Sequence, residues 1–272
     1  MLIPFLGVLR LETRKLAVAL VVLLVIVTPL AYIGYGYASY SKVINPGEPL
    51  GTTEYVVVKT PTGQFHSMTL QEFKDYVAGG GEIPEGSKVY KINVESYITG
   101  SPVVDINTTL RSLYDSYTII LGDPSVKNCK DKPELYMGSC TQRTVAVMEV
   151  TAFVSNIFST MYYLKAIALG YNNTTAREYA FQETMKRNRK GYLDFWTKFE
   201  LGRGSLGNSK NLAILLIGPA EGGTENRVFV PRKGLLVFEA TSDETLRAEV
   251  VLVEHLINFQ WPNNSTASQT NS

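Results

Sequence analysis

The residues with most chemistry to offer lie in Gly218-Pro-Ala-Glu-Gly-Gly-Thr-Glu-Asn226. Gly218, Gly222 and Gly223 allow a backbone to approach a ligand closely. Glu221 and Glu225 could act as acid/base carboxylates or as oxygen ligands to a cation. The stretch carries no Gly-Lys-Ser/Thr, so it is not a Walker phosphate loop. Its simpler role is a wide turn feeding a hairpin.

Other candidates carry less. Gly202-Arg-Gly-Ser-Leu-Gly207 matches G-x-G-x-x-G, but it follows an expected helix and leads into an expected strand. Dinucleotide binding needs the reverse order, because the phosphates must meet a helix amino terminus. Two histidines, His66 and His255, are too few for a three-histidine metal centre, and no zincin spacing surrounds either. No serine sits in a G-x-S-x-G elbow. Cys129 and Cys140, the two cysteines of the chain, bracket a polar loop with Pro133 and Gly138. They are expected to pair as a disulfide rather than to act as nucleophiles or zinc ligands. No metal or cofactor is implied, and an enzyme built on this chain would have to rely on carboxylates.

The elements that must position these residues follow from pattern. Tyr55–Lys59 reads as a strand, Pro61–Gly63 as a turn, and Phe65–Met68 as its hairpin partner. Thr69-Leu-Gln-Glu72 is a capping box for a helix running to about Val77. Lys88–Ile98 is strand-like, Asp105–Tyr114 helical and Tyr117–Leu121 a short strand. Residues 142–169 place Val145, Met148, Ala152, Phe153, Ile157, Met161, Leu164 and Ala168 at helical spacing, and Glu149 argues for a buried core helix over a second membrane span. A further helix, capped by Thr174 or Thr175, is expected to reach about Leu201 and form a helical hairpin with it. Phe195, Trp196 and Phe199 would anchor its base. Leu212–Ile217 has the continuous apolar character of a strand buried on both faces. Arg227–Val230 and Leu235–Glu239 flank Pro231–Gly234 as a hairpin. Thr241-Ser-Asp-Glu244 then caps a final helix with Leu246, Val250, Val253 and Ile257 on one stripe. The fold class is therefore α+β, with the 142–201 hairpin packed on a small mixed sheet built from both ends of the domain and a carboxyl-terminal βββα unit.

The amino end sets the address. Leu16–Ile33 is uncharged, and about 18 residues at 1.5 Å each span roughly 27 Å, near the thickness of a bilayer's hydrocarbon core. Arg10, Arg14 and Lys15 precede it, while Tyr32, Tyr35, Tyr37 and Tyr40 follow it like an interfacial belt. The expected layout is a cytoplasmic terminus (1–15), a transmembrane anchor (16–36), a stalk (37–54), an extracytoplasmic domain (55–261) and a disordered polar tail (262–272). A cleaved signal peptide, the competing reading, has a shorter apolar core and would place the domain on the same side. Asn-x-Ser/Thr triplets at Asn107, Asn172, Asn173, Asn263 and Asn264 are glycosylation candidates consistent with that side. The chain has 26 Lys and Arg against 25 Asp and Glu, so no strong field favours nucleic acid. The Lys186-Arg-Asn-Arg-Lys190 cluster reads as the solvated face of a helix. In composition the chain resembles envelope proteins of thermophilic archaea, a likeness of style with no motif tying it to a named family.

These features point to an anchored cell-envelope protein with a structural or protein-binding role. Its partners would be the bilayer, through residues 16–36, and other envelope proteins or copies of itself. One alternative is an accessory subunit of a membrane complex, or a receptor domain for a small ligand or ion. Another is an extracytoplasmic hydrolase using Glu221 and Glu225.

Overall fold

The computed structural model describes residues 21–31, 34, 45–98, 100–111, 116–121, 139–187, 192–193 and 207–257. The chain divides into two compact units, Met1–Asn45 with Trp196–Ser205 and Pro46–Phe195 with Leu206–Ser272. In the first, Val21–Ala31 forms an apolar helix, α1, exposed along its whole length. The flanking parts of the apolar run, residues 16–20 and most of 32–36, lie outside the described residues.

The second unit is a mixed α+β domain. Its strands are β1 (Gly51–Lys59), β2 (Phe65–Thr69), β3 (Lys88–Ser96), β4 (Ser116–Leu121), β5 (Tyr192–Leu193), β6 (Asn211–Ile217), β7 (Arg227–Arg232) and β8 (Leu235–Glu239). They form one sheet in the order β2-β1-β3-β7-β8-β6-β4-β5, seven well-formed strands with the two-residue β5 at one edge. β1 pairs antiparallel with β2 and β3, and β7 with β8; every other neighbouring pair is parallel. The two halves of the domain join where β3 meets β7, with Val94 opposite Val228. The sheet is thus built from both ends of the domain.

Both faces are covered over the middle of this sheet, which explains why Tyr55–Val58, β6 and β8 read as continuous apolar runs rather than as alternations. Tyr55, Val57, Ile92, Val94, Leu212, Ile214, Leu216, Val228, Leu236 and Phe238 face the main core. Val56, Leu215, Phe229 and Val237, which point to the other side, are fully buried as well.

The helices of this unit are α2 (Leu70–Ala78), α3 (Pro102–Arg111), α4 (Ser139–Ala168), α5 (Asn173–Arg187) and α6 (Asp243–Ile257). The Thr69–Glu72 capping box forms: the Glu72 backbone N–H donates to Thr69 Oγ1 at 3.2 Å and the Thr69 N–H to Glu72 Oε2 at 2.7 Å. The other two expected caps move by a residue or more. The Thr175 N–H donates to the Asn172 side chain at 2.9 Å, so Asn172 caps α5 in place of Thr174 or Thr175. The Thr245 N–H donates to Ser242 Oγ at 3.1 Å, while Thr241 Oγ1 donates to the Asn226 side chain at 2.8 Å. β1 begins at Gly51, so the last four residues of the expected stalk, 51–54, are strand, and it pairs with β3 from its first residue.

Two larger departures concern the helical hairpin. α5 ends at Arg187, and Tyr192–Leu193, expected within a helix running to Leu201, instead pairs with Ile119 and Ile120 of β4. Phe195, Trp196 and Phe199 lie outside the described residues. In α4 the expected stripe holds only in the middle, where Phe153 and Ile157 are buried, and drifts off at both ends. Met148, Ala152 and Leu164 are exposed, while Val147, Val150, Val154, Ile157 and Phe158 are buried. Met148 and Leu164, sixteen residues apart, lie about 160° apart on the helix, so its exposed side changes along its length. The first half packs on α6 and the second on α5. A helix buried on opposite sides in its two halves needs apolar residues all round, which defeats a search for one stripe. By length and composition α4 could cross a membrane, but 44% of its apolar window is buried within this domain and Glu149 pairs with Arg247 of α6 at 3.0 Å.

A candidate brace at the carboxyl end of the sheet

The Gly218–Asn226 segment connects β6 to β7, and β8 lies between those two strands. The loop therefore has to cross the carboxyl end of β8. Its first half closes on itself: Pro219–Glu221 forms a 3-10 turn, and the N–H of Gly223 donates to the Gly218 carbonyl at 2.9 Å. Its second half rests on β8, with the Thr224 N–H donating to Glu239 Oε1 at 3.0 Å. The Ala240 N–H, just past β8, donates to the Ile217 carbonyl at 2.9 Å.

The glycines serve this crossing. A Cβ on Gly223 would sit 2.5 Å from the Ala240 carbonyl oxygen and 2.9 Å from that of Ile217, both backbone atoms. A Cβ on Gly218 would lie 2.7 Å from Arg143 Nη1 and 3.1 Å from Asp243 Oδ1. Gly222 adopts φ 81°, a left-handed conformation that glycine reaches without strain. Gly223→Ala should cost about 1–3 kcal/mol, the usual range for overpacking, because no flexible side chain can yield. Urea unfolding of the purified chain checks this, and an unchanged midpoint would refute it.

Glu221 turns inward. Its side chain is fully buried; it accepts the Gly218 N–H at 2.7 Å and forms a very close ion pair with Arg143 of α4. Arg143, 3% exposed, also reaches Asp243 at the start of α6 at 3.6 Å. Three elements are thereby pinned by one buried guanidinium: α4, the loop and α6. Opposing charges this deep are retained only when paired, since either alone would bear the full desolvation cost.

A second cluster lies one strand away. Arg227, the first residue of β7, donates from Nε to Glu239 Oε2 at 2.8 Å and from Nη1 to Glu95 Oε2 at 3.3 Å and the Tyr97 hydroxyl at 3.3 Å. Glu225, mostly exposed, approaches its Nε at 3.2 Å. The Arg227 guanidinium also stacks on the Phe229 ring at 4.6 Å. Burial, reinforced by the Tyr97 hydroxyl's own hydrogen bond to Glu95, holds that phenol well above the ordinary tyrosine range, so it stays a neutral donor.

The structure thus brings Gly218, Glu221, Gly222, Gly223 and Glu225 to one loop but divides the two glutamates between different arginines. The charged residues that organise the site, Arg143, Arg227, Glu95, Glu239 and Asp243, were not singled out from sequence. The available signal was a charged residue inside or at the end of an apolar run, which implies a buried partner without naming it.

The other sequence candidates are scattered. Cys140 falls in the first turn of α4, while Cys129 lies outside the described residues, so their pairing stays an expectation. Asn107 is half-buried in α3, with its side-chain oxygen shielded from solvent. Asn172 and Asn173 are exposed at the α4–α5 turn, where Asn173 accepts from the Tyr163 hydroxyl at 3.2 Å. Asn263 and Asn264 lie outside the described residues. His66 and His255 are exposed on β2 and α6. In the basic cluster, Lys186 pairs with Glu183 at 2.7 Å and Arg187 lies over the Tyr162 ring. Among the described residues no group of three or more His, Cys, Asp or Glu could hold a metal ion. One small cavity of about 30 Å³, the room of a single water, is lined by Phe153, Asn156, Ile157, Glu254 and Ile257. Comparison of the chain with protein-family models, with curated proteins and with solved structures finds no match.

Proposed function

We propose that this chain is a membrane-anchored cell-envelope protein whose extracytoplasmic α+β domain works by contact with other envelope proteins or with copies of itself, not by catalysis. The observation that carries the reading is how the strand-end carboxylates are used. Glu221 and Glu239 are bonded to buried arginines and backbone N–H groups within the domain, and Asp243 lies 3.6 Å from the buried Arg143. A general acid or base must instead reach a substrate proton. This carboxylate set is built to brace a scaffold. Further support comes from the apolar run around α1, the basic residues preceding it, and large apolar side chains exposed along the α4–α5 hairpin, namely Met148, Leu164, Ile167, Phe181 and Met185.

Two measurements on intact cells test the two halves of the proposal. Protease added outside should digest the domain without lysis; digestion only after lysis would overturn the orientation. Cross-linking followed by mild-detergent purification should trap adducts of defined mass. A chain recovered only as an uncross-linked monomer would overturn the binding role.

A further inference from the structure

α6 carries one residue that the charge clusters do not use. Glu249 sits in the middle of this helix, fully buried, and neither carboxyl oxygen has a hydrogen-bond partner. The nearby Glu239 carboxylate disfavours its ionised form, and the Arg227 backbone N–H favours it to a lesser degree. Apart from Asp105, the other charged and titratable groups named here around α6 are exposed or paired elsewhere. From α4, Arg143 is held by Glu221 and Asp243, and Glu149 by Arg247. From β3, Lys88 and Tyr90 engage Glu244 in the first turn of α6. From β1, Lys59 lies over the Phe65 ring, and His66 of β2 is exposed. α3 brings Arg111, which is exposed, and Asp105, which is 3% exposed with Oδ2 unpartnered.

We propose that Glu249 and Asp105 are held as neutral acids inside the folded domain, so that folding takes up protons and the fold is strengthened by acidity. An ionised Glu249 would have only the nearby Arg227 backbone N–H to replace its water, and Oδ2 of Asp105 has no hydrogen-bond partner, so each group keeps its proton instead. Burial raises both groups above the usual carboxylate range, Glu249 far above it. For an acid raised on folding, the stabilising contribution is complete below the unfolded value, about pH 4, and is lost as pH climbs through the folded value. This is opposite in sign to the contribution expected of a carboxylate held in an ion pair. It concerns the domain's own proton linkage and stands whichever partner or membrane side applies.

The test compares the full-length chain in detergent micelles with its Glu249→Gln and Asp105→Asn variants. Glutamine is a neutral stand-in for the protonated acid. At about pH 4, Glu249→Gln should melt within about a degree of the parent. Near neutrality it should melt higher, by roughly 5 °C or more if the ionisation penalty exceeds about 1–2 kcal/mol. A gap that is the same at both pH values, or a variant that melts lower at both, overturns the proposal. Infrared spectroscopy of the native parent at neutral pH gives a readout that needs no stable variant. A protonated-carboxyl band should be present, and smaller in each variant that folds; its absence from the parent overturns the proposal.

Discussion

Replacing Arg227 with methionine should lower the stability of the domain by about 3–5 kcal/mol, the usual cost of removing one partner from a buried ion pair. For a domain of this size that is a melting shift of roughly 6–20 °C. The reason is what stays behind. Glu95 and Glu239 are 6% and 5% exposed, and both direct an oxygen at the same guanidinium. Without it, among the described residues, Glu239 keeps its bonds to Thr224 and Glu95 keeps the Tyr97 hydroxyl. Methionine preserves most of the stem's length and its packing on Phe229, so the loss reports charge more than cavity. The stranded carboxylates would then favour their neutral forms, so the deficit of the variant should shrink as pH falls. Adding Glu95→Gln and Glu239→Gln to Arg227→Met should recover part of the lost stability, since a neutral cluster carries no unpaired charge. Urea midpoints of the single and triple variants decide the matter. An Arg227→Met variant within 1 kcal/mol of the parent would mean that water already reaches the cluster.

The order of elements was largely readable because local signals agreed with the tertiary environment. Tyr55–Val58 and Leu212–Ile217 are apolar at successive positions, and the sheet buries both of their faces. The Phe65–Thr69 return and the β7–β8 hairpin follow from Gly63 and Gly234, which adopt φ of 85° at the turns. What could not be read is pairing at a distance. Nothing in β6 or β7 announces that β8 will insert between them, yet that insertion is what makes the Gly218–Asn226 loop cross a strand end and draw Glu239 beneath it. The α4 stripe holds at Phe153 and Ile157 but not toward the ends, for a related reason: its two halves answer to different neighbours, α6 and α5. Tyr192–Leu193 sits in a run rich in helix formers and is strand only because β4 offers it an edge. The loop is marked in the sequence by its glycines, and the structure supplies a packing reason for two of them: a Cβ at Gly218 would meet Arg143 and one at Gly223 the Ala240 carbonyl.

Glu221→Ala and Glu225→Ala separate the scaffold reading of this loop from the hydrolase reading. If the two glutamates were acid and base, each substitution would abolish turnover and leave the melting temperature alone, because a catalytic carboxylate contributes little to the fold. The geometry predicts a different and unequal outcome. Glu221 is fully buried against Arg143, and its loss leaves that arginine, among the described residues, with the 3.6 Å contact to Asp243. Removing one member of such a pair costs about 3–5 kcal/mol. It also removes the acceptor for the Gly218 N–H, adding about 1 kcal/mol or more. Glu225 is 58% exposed, and its approach to Arg227 is screened by water, so Glu225→Ala should fall within about 0.5 kcal/mol of the parent. Arg143→Met should destabilise as Glu221→Ala does, and the double variant should be less damaging than the sum of the two, the signature of a direct pair. Thermal unfolding of the four proteins at neutral pH provides the comparison. Equal and negligible shifts for Glu221→Ala and Glu225→Ala would remove the brace and return the loop to the list of possible active sites.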